Sequence, residues 1–424
     1  MASITAIRGF KDILPEETHL WRRMEATLTR VLSAFGYREI RIPVLERTEL
    51  FARGIGTDTD IVEKEMYTFP DRHGESLTMR PEATASITRA VAEHGLAGDG
   101  RPLKLWFMGP MFRYERPQKG RQRQFHQVDV EVFNDPSPHV DAELVVLLTQ
   151  ILHELGLRRL TVHLNSLGCP DCRPDFKAKL RDYLAARRPE LCPDCQRRFE
   201  TNPLRVVDCK VERCAELVKD APSIQESLCP DCRDHFAAVK KMIDETGLQA
   251  ISDPRLVRGL DYYYRTTFEV HSGDLGAQNA VAGGGRYDGL SKAIGGPDLS
   301  GTGFAVGLER LIMLLSELEQ PQAPGPELFV AALDAAAAAA SFGLVQGLRR
   351  RGVWAEMEYQ PGSLKSKMKR ADKLGAARVL ILGPDEMARG LAILRDMKSK
   401  EQKELPLDEI QGRLLDIIGK GERN

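Results

Sequence analysis

The sequence has no apolar stretch long enough to cross a membrane, no secretion signal and almost no net charge. A transmembrane helix needs about 20 consecutive apolar residues, and the opening MASITAIRGF does not place a basic stretch before an apolar one. The formal net charge is -1, so contact with a polyanion requires basic residues to be concentrated locally. These absences predict a cytoplasmic protein with no membrane partner.

The composition and length predict a soluble globular chain of several domains. Hydrophobic residues make up 42% and charged residues 29% of the 424 positions, and a chain of this length folds into about two to four domains. The segment 319–327, EQPQAPGPE, has proline and glycine without apolar anchors, which is typical of an interdomain linker. We therefore predict one domain over residues 1–325 and another over 326–424.

The second of these domains alternates predicted strands with predicted helices. This order indicates a small α/β domain with a mostly parallel sheet. Two of its helices are rich in basic residues, which fits either a local site for a polyanion or ordinary solvated helix faces. The basic residues are Arg349, Arg350, Arg351, Lys365, Lys367, Lys369, Arg370 and Lys373.

Near the N-terminus, the pattern predicts a long helix followed by a strand. The helix is expected to begin at Pro15 and to end before Gly36, because apolar residues recur at spacings of three and four between them. The run 37–46, YREIRIPVLE, alternates as a strand does. Pro43 cannot donate to a β-ladder, however, so it predicts an edge strand or an interface.

The stretch 107–133 is the first candidate for an active site, because it places many ionisable residues on two strand-like runs. Its second half alternates, so that Val128, Val130 and Val132 point to one face and Gln127, Asp129 and Glu131 to the other. The first half carries Arg113 and Glu115, and the joining loop carries Lys119, Arg121 and Arg123, which suits a polyphosphate. The alternative is an ordinary hairpin with a solvated, charged outer face.

Three further stretches have a similar character. In RPEAT, residues 80–84, a helix predicted to begin at Pro81 has Glu82 at its mouth, where the carboxylate either caps the helix or binds an ammonium group. In RGLDYY, residues 258–263, a cation, an acid and two phenols share one turn. The run Gly283–Gly285 indicates either a bulge or a close backbone approach, since it lacks the context of a dinucleotide-binding motif.

Eight cysteines fall as four pairs: Cys169/Cys172, Cys192/Cys195, Cys209/Cys214 and Cys229/Cys232. Disulfides are not expected in a reducing compartment. The repeated C-x₂-C spacing favours structural zinc, with enough thiolates for two closed sites. A redox pair and ordinary buried thiols are the alternatives.

Together these stretches resemble the motifs of class II aminoacyl-tRNA synthetases, and specifically those of the bacterial histidyl-tRNA synthetase family. RIP at 41–43, FRYE at 112–115 with the strand ending at Glu131, and GLER at 307–310 resemble the three class motifs. RGLDYY at 258–263 and GGGRYDGL at 283–290 resemble the two signatures of histidine-specific members. One departure is RPEAT, which has Ala83 where the family has glycine. The cysteine-rich stretch is another, since cysteine pairs there are not a general family feature.

The resemblance implies an α+β fold: an antiparallel-sheet catalytic core, a helical cysteine-rich subdomain inserted at about 168–252, and a C-terminal α/β anticodon-binding domain. It implies a homodimer whose interface includes the first motif. The implied activity is activation of L-histidine by ATP, with Mg²⁺ on the polyphosphate, followed by transfer to tRNA(His). No separate editing domain is apparent in the sequence. None is required, because a site that hydrogen-bonds imidazole rejects other amino acids by itself.

The resemblance also assigns roles to particular residues. Arg113 and Arg258 flank the α-phosphate and the substrate carboxylate, with Arg258 doing the work of a metal ion. The implied ATP-binding residues are Arg113, Glu115, Arg121, Phe125 and Arg310, with Phe125 stacking on adenine. The implied histidine-binding residues are Glu82, Ala83, Thr84, Gln127, Glu131, Arg258, Tyr262, Tyr263 and Tyr287, with Glu131 and Tyr263 reading the imidazole.

Two non-catalytic alternatives remain. A relative of this fold without activity serves as the histidine-binding regulatory subunit of ATP phosphoribosyltransferase, but such chains typically lose the terminal domain and much of the nucleotide and histidine signatures. A nucleic-acid-binding module does not explain arginines placed beside a polar pocket face. Histidine-dependent ATP–pyrophosphate exchange separates all three.

Overall fold

A computed structural model describes residues 3–57, 59–273, 280–318, 325–360 and 362–419. The chain divides into two compact units, Met1–Gln320 and Pro321–Asn424. Residues 319–324 of the predicted linker lie outside the described residues. No described helix has the length and apolar character that crossing a bilayer requires.

The first unit contains eleven strands and eleven α-helices among its described residues. The strands are β1 Arg38–Glu39, β2 Leu45–Arg47, β3 Tyr67–Pro70, β4 Ser76–Met79, β5 Leu103–Phe112, β6 Gln124–Phe133, β7 Leu160–Ser166, β8 Ala250–Ser252, β9 Tyr264–Ser272, β10 Ala280–Arg286 and β11 Gly301–Gly307. The helices are α1 Pro15–Ala34, α2 Thr48–Ile55, α3 Thr84–Glu93, α4 Pro138–Glu154, α5 Arg173–Ala185, α6 Pro193–Thr201, α7 Leu204–Val207, α8 Glu212–Leu217, α9 Pro230–Glu245, α10 Leu290–Ala293 and α11 Leu308–Leu318. A π-helical turn covers Ile61–Glu65, and 3₁₀ turns cover Arg188–Glu190 and Ile224–Ser227.

An eight-stranded sheet forms the centre of this unit, in the order β1-β5-β6-β11-β10-β9-β7-β8. The six inner strands are antiparallel to one another, and only the edge strands pair in parallel, β1 with β5 and β8 with β7. A second, three-stranded antiparallel sheet has the order β2-β4-β3. The predicted antiparallel core is therefore confirmed.

The alternation predicted for residues 127–132 is present in β6. Val128, Val130 and Val132 are buried in the main apolar cluster, to which helices α1, α4, α9 and α11 contribute. Asp129 and Glu131 point to the opposite face and are each only 1% exposed. One strand therefore supplies both the core of the sheet and a buried polar surface on its other side.

The single strand predicted over residues 37–46 was wrong. The structure has only β1 and β2 at the two ends of the run, and they belong to different sheets. The carbonyls of Ile42 and Pro43 accept hydrogen bonds from the Arg80 guanidinium at 2.6 and 2.9 Å instead of joining a ladder. The arginine side chain thus takes the place of a neighbouring strand where proline interrupts the pairing.

The first predicted helix is present as α1, and the hairpin β3–β4 precedes the RPEAT stretch. The helix predicted from Pro81 begins three residues later, at Thr84. The N-cap residue is Ala83, and the preceding Glu82 caps the helix, because its carboxylate accepts from the backbone N–H groups of Thr84 and Ala85 at 2.9 Å each. The capping interpretation of Glu82 therefore holds, and it fixes that carboxylate in place.

Helices α5 to α8 surround a separate apolar cluster to which the cysteines contribute. The last part of the predicted insert, 168–252, joins the main sheet: Phe236, Val239 and Ile243 of α9 lie in the main apolar cluster, and β8 pairs with β7. The cysteine-rich helices are therefore anchored to the eight-stranded sheet at their C-terminal end.

The second unit has β12 Leu328–Ala332, α12 Ala335–Arg350, β13 Ala355–Met357, α13 Leu364–Lys373, β14 Arg378–Leu382, α14 Pro384–Ala388, β15 Leu391–Asp396, β16 Gln402–Pro406 and α15 Ile410–Gly419. Its sheet has the order β13-β12-β14-β15-β16. The predicted mostly parallel sheet is half right, because β12 pairs in parallel with β13 and β14 whereas β15 is antiparallel to β14 and β16. The connections on either side of β15 are shorter than the dozen or so residues that a parallel crossover requires, although the first contains the five-residue α14.

Lys367 does not belong to the predicted basic surface. It is 1% exposed, and its ammonium donates to the carbonyls of Glu358 and Gln360 at 3.3 and 3.0 Å. A helical stripe of lysines in the sequence therefore includes one residue that stabilises a loop from inside.

Candidate active site

Two cavities lie on the polar face of the large sheet, and they share Arg113 and Arg258. The smaller has a volume of about 200 Å³ and is lined by all but one of the predicted histidine-binding residues, namely Glu82, Thr84, Gln127, Glu131, Arg258, Tyr262, Tyr263 and Tyr287. The larger, of about 450 Å³, is lined by all the predicted ATP-binding residues, namely Arg113, Glu115, Arg121, Phe125 and Arg310. The one predicted histidine-binding residue outside the smaller cavity is Ala83. It is fully buried in an apolar cluster behind the pocket and does not line either cavity.

Three buried carboxyl groups face the smaller cavity. Glu131 is held by two hydroxyl groups, since it accepts from Thr84 Oγ1 at 2.7 Å and from the Tyr287 hydroxyl at 2.5 Å. Glu82 is held by the start of α3, and the hydroxyl of Tyr262 lies 3.4 Å from it. Asp129 Oδ2 has no hydrogen-bond partner among the described residues.

Burial raises the pKa of each of these three carboxyl groups. For Glu82 the rise is opposed mainly by the backbone N–H of Ala85. The pKa of Asp129 lies well above its usual range through burial and the nearby Glu82. The pKa of Glu131 is likewise raised well above its usual range by burial, against the stabilising hydrogen bond from Tyr287. Three acids around one small cavity favour a ligand that carries positive charge and N–H donors.

Tyrosine rings form the walls of this cavity. Tyr262 packs against Tyr263 and Tyr287, with ring centroids 4.8 and 5.8 Å apart. Gln127 lies on the same face of β6, and its Oε1 has no partner among the described residues. The pocket thus combines flat apolar walls with a few fixed polar groups, which is the usual construction of a small-molecule site.

Arg258 joins the two cavities. Its NH1 donates to Glu269 on β9, its guanidinium carbon lies 5.6 Å from the Tyr263 ring centroid, and its Nε has no hydrogen-bond partner in the described part of the chain. The pKa of Glu269 falls to about 2 because His271 and Arg258 both stabilise its carboxylate. Arg258 therefore presents its charge to both cavities, and its Nε remains available to donate a hydrogen bond to a ligand.

Arg113 and Arg310 flank the larger cavity from different elements. Arg113 Nε donates to the carbonyl of Pro81 at 2.8 Å, and its guanidinium lies 5.2 Å from the Phe125 ring centroid. Arg310 NH1 donates to the carbonyl of Ala280, and burial followed by the nearby charge of Arg121 lowers its pKa. Neither guanidinium is paired with a carboxylate among the described residues, so both remain available to an anionic ligand.

Arg121 and Glu115 stand at the mouth of this cavity as an ion pair of 3.1 Å. Glu309, at the start of α11, accepts from the backbone N–H of His126 through both carboxylate oxygens, at 3.0 and 2.9 Å. Glu309 therefore ties the beginning of α11 to β6, which holds its neighbour Arg310 at the cavity.

Two glycines make room for the polar side chains. A Cβ at Gly283 would lie 2.3 Å from Arg258 NH1, and one at Gly303, the residue that pairs with Glu131, would lie 1.7 Å from its Oε2. The run Gly283–Gly285 also contains a register shift at Gly285/Arg286. Both sequence interpretations of the run, bulge and close approach, are thus present.

The sequence interpretation missed several residues that line the cavities, among them Asp129, Arg205, Glu269 and Gly303. The period-two pattern of β6 already placed Asp129 on the correct face. No local pattern indicated Arg205, because it comes from the cysteine-rich segment, far along the chain from the motifs.

The eight cysteines form two separate clusters, Cys169/Cys172/Cys229/Cys232 and Cys192/Cys195/Cys209/Cys214. Within each cluster the sulfur atoms all lie within 4.8 Å of one another, and pairs such as Cys192/Cys209 are 3.9 Å apart. Backbone N–H groups donate to two of the sulfurs: that of Cys192 to Cys214, and that of Cys229 to Cys172. Four sulfurs at such spacing fit a tetrahedral ion with Zn–S bonds of about 2.3 Å, which places sulfurs about 3.8 Å apart.

Comparison with known proteins gives a consistent result. A family model described as histidyl-tRNA synthetase matches residues 9–171 and 199–311, and one described as an anticodon-binding domain matches 327–417. A protein of Desulfatibacillum aliphaticivorans named histidine–tRNA ligase is 53% identical over 418 residues, which are 99% of this chain and 100% of that protein. A histidine–tRNA ligase of Geobacter sulfurreducens is 51% identical, covering 97% of this chain and 100% of its own.

Among solved structures, the apo histidyl-tRNA synthetase of S. aureus is similar to this chain. It has a TM-score of 0.82 and 33% sequence identity, covering 97% of this chain and 100% of that chain. The stretch that the family model leaves unmatched, 172–198, falls within the cysteine-rich helices. By motifs, fold and full-length similarity, this chain belongs to the histidyl-tRNA synthetase family.

Proposed function

We propose that the chain activates L-histidine with ATP, forming histidyl-adenylate and diphosphate, and then transfers the histidyl group to the 3′ end of tRNA(His). The observation that carries this proposal is the shared cavity: Arg113, Arg258 and Arg310 come from three separate segments and all line it. A pocket rich in carboxyl and phenol groups adjoins it. An anion site that opens into an amino-acid-sized pocket suits amino-acid activation.

Histidine occupies the smaller pocket. A neutral imidazole has one donor and one acceptor, so the Glu131 carboxylate accepts its N–H and the Tyr263 hydroxyl donates to its other nitrogen. Glu82, Thr84 and Gln127 surround the α-ammonium, and Tyr262 and Tyr287 form the walls. Asp129, which was predicted on this face but not among the histidine-binding residues, adds a carboxylate beside the ammonium.

ATP occupies the larger cavity, with adenine against Phe125 and the β- and γ-phosphates near Arg121 and Arg310. The histidine carboxylate attacks the α-phosphorus in line, the bond to the bridging oxygen breaks, and diphosphate leaves. Arg113 and Arg258 hold the two anions together and stabilise the charge that develops on the α-phosphate oxygens, since preorganised guanidinium groups need no rearrangement. Glu65 and Glu115 line the larger cavity and are the carboxylates that would hold a Mg²⁺ ion entering with the nucleotide, which would neutralise charge on the polyphosphate.

The domain boundaries and the oligomeric state are assigned from the same family. Residues 1–325 form the catalytic domain, including the segment at about 168–252, and residues 326–424 bind the anticodon of tRNA(His).

Two copies associate through the first motif, where Val44 and Leu45 are exposed beside Pro43. Sedimentation at micromolar concentration is expected to give the mass of a dimer, and a monomer would contradict this assignment.

The two cysteine clusters each hold one structural Zn²⁺. Four thiolates leave no open position on the ion, so the zinc supplies folding energy and takes no part in the reaction. The sulfur spacing and the N–H donors described above support this assignment over a redox pair or unrelated buried thiols.

The regulatory-subunit alternative is weaker. It requires only histidine binding, yet the nucleotide cavity has all three arginines and residues 327–417 match the anticodon-binding model. Purified protein is expected to catalyse ATP–pyrophosphate exchange that depends on histidine, and to charge tRNA(His). Histidine binding without exchange would favour the regulatory role.

Gly283→Ala is expected to lower exchange by about 100-fold, because its methyl group would displace the Arg258 guanidinium and a displacement of about 1 Å costs that much. The comparison is with Gly343→Ala, where an added Cβ meets nothing within 4 Å and exchange should not change. Full exchange by Gly283→Ala would show that the close approach has no functional value.

The kcat/KM for histidine is expected to fall as the pH falls. The carboxylates of Glu82 and Asp129 attract the α-ammonium only when ionised, and their raised pKa values bring their protonation to a higher pH than usual. The attraction is therefore present above those pKa values and is lost as the pH falls through them. The measurement is kcat/KM for histidine and for ATP against pH.

Free histidine also gains a proton below a pKa of about 6.5, so the enzyme's own contribution is isolated with Asp129→Asn. That variant should bind histidine more weakly and have a shallower acid limb. An acid limb identical to that of the unchanged protein would remove Asp129 from histidine binding.

A further inference from the structure

The cysteine-rich segment contacts the loop that carries Arg258. Arg205 NH1 donates to the carbonyl oxygen of Arg258 at 2.6 Å, and Asn202 Nδ2 donates to Asp261 Oδ1 at 2.9 Å. Residues 253–263 form neither helix nor strand. The loop has no ladder of its own and only single backbone hydrogen bonds to its neighbours, such as that from Asp261 N–H to the Ile55 carbonyl at 3.2 Å, so side-chain contacts also hold its position.

The same segment contacts a second element that lines the larger cavity. Arg198 NH2 lies 2.7 Å from Asp60 Oδ2, and Arg197 lies 3.3 Å from Glu63. Asp60, Ile61 and Glu65 line the larger cavity. The cysteine-rich segment thus contacts two elements of the active site, the Arg258 loop and the turn that follows α2.

Arg205 itself lines the larger cavity beside Arg258. It lies on α7, a helix of four residues, and the preceding α6 has nine. Helices shorter than about 12 residues are marginal alone, so these two need support from elsewhere.

One cysteine cluster supplies that support. Cys192 and Cys195 stand at the start of α6, Cys209 follows α7 and Cys214 lies on α8. The four sulfurs meet although the residues span positions 192–214. We call residues 192–214 the arm. Its two ends are joined at this cluster, and Arg197, Arg198, Asn202 and Arg205 lie between them.

We propose that zinc bound by Cys192, Cys195, Cys209 and Cys214 closes the arm, and that the closed arm makes Arg205 a positioning residue for Arg258 in histidine activation. This inference rests on the proposed function. The hydrogen bond to the Arg258 carbonyl fixes the loop backbone, while the charge of Arg205 lies at the cavity without pairing with a carboxylate among the described residues.

The test compares zinc content with exchange kinetics in the full-length protein. Wild type is expected to hold two zinc ions per chain and to exchange. Arg205→Ala should keep both ions and the same melting temperature, yet have a kcat about 10- to 100-fold lower, as expected for a displaced catalytic group. Arg205→Lys should recover part of this loss, because an ammonium can donate the same hydrogen bond.

Cys209→Ala is expected to hold one zinc ion and to lose exchange to a similar extent. The double variant Cys209→Ala/Arg205→Ala should be no slower than the slower single variant, because both changes break the same connection. Arg213→Ala is the matched control: it lies in the arm and pairs with the exposed Glu190, so its zinc content and exchange should not change.

Distinct results would overturn the proposal. A wild type that exchanges but contains no zinc would remove the metal, and Arg205→Ala with unchanged kcat would remove the positioning role. An effect confined to KM for ATP would make Arg205 a nucleotide contact only. If Cys209→Ala does not fold, Arg205→Ala in the intact arm still decides the positioning role, and zinc analysis of wild type still decides the metal. Absence of exchange in wild type would instead contradict the proposed function.

Discussion

Replacing Arg258 with histidine is expected to lower histidine-dependent ATP–pyrophosphate exchange by about 10²- to 10³-fold, the usual cost of removing one preorganised group that stabilises developing charge. Arg258 lines both cavities, so it can bridge the substrate carboxylate and the α-phosphate. An imidazole is shorter, and near neutral pH it is only partly charged. The loss should therefore appear in kcat and remain at saturating concentrations of both substrates.

Arg255→His provides the matched control. Arg255 belongs to the same loop but is exposed and does not line either cavity. Circular dichroism and melting temperature should be similar for both variants, while only Arg258→His loses exchange. Unimpaired exchange by a folded Arg258→His protein would remove this residue from the reaction.

Glu131→Ala is expected to raise KM for histidine by about 100-fold or more while KM for ATP changes little. The carboxylate is the proposed acceptor for the imidazole N–H, and its removal also leaves Thr84 Oγ1 and the Tyr287 hydroxyl without their acceptor. A lost hydrogen bond to a charged group costs about 1.5–3 kcal/mol, and unpaired buried groups add to this.

The two substrates serve as controls for each other in this experiment. Steady-state exchange with one substrate varied at a time gives both KM values from the same preparation. Equal increases for histidine and ATP would indicate a general disturbance of the sheet, and Glu131 would then have no specific role in recognising histidine.

The catalytic sheet was largely predictable because its signals are local. Alternation in β6 is a period-two pattern, and burial of one face forces the register. The prediction failed over residues 37–46 because the partner of the Ile42 and Pro43 carbonyls is the side chain of Arg80, which no periodicity can indicate. Local pattern therefore predicts a strand's faces better than its hydrogen-bond partners.

The site residues that belong to sequence motifs were predictable. Those brought to the site only by tertiary contacts were not. Motif resemblance found Glu82 and Glu131, but it gave no reason to expect Arg205, which α7 of the cysteine-rich segment brings to the cavity. Lys367 illustrates the opposite error: its sequence neighbours are basic, and only packing distinguishes it from them. Both errors arise from contacts between segments distant in sequence.

The absence of a side chain at Gly303 limits how the specificity of this pocket can be changed from histidine to another amino acid. Any residue with a Cβ there would collide with the Glu131 carboxylate, whereas shortening residue 131 alone strands the hydroxyls of Thr84 and Tyr287. Laboratory evolution of a new amino-acid preference would therefore stall if it varied these positions singly. Because a Cβ at residue 303 would also lie 2.4 Å from the backbone oxygen of Val130, libraries that keep Gly303 and randomise residues 84, 131 and 287 together offer the accessible route.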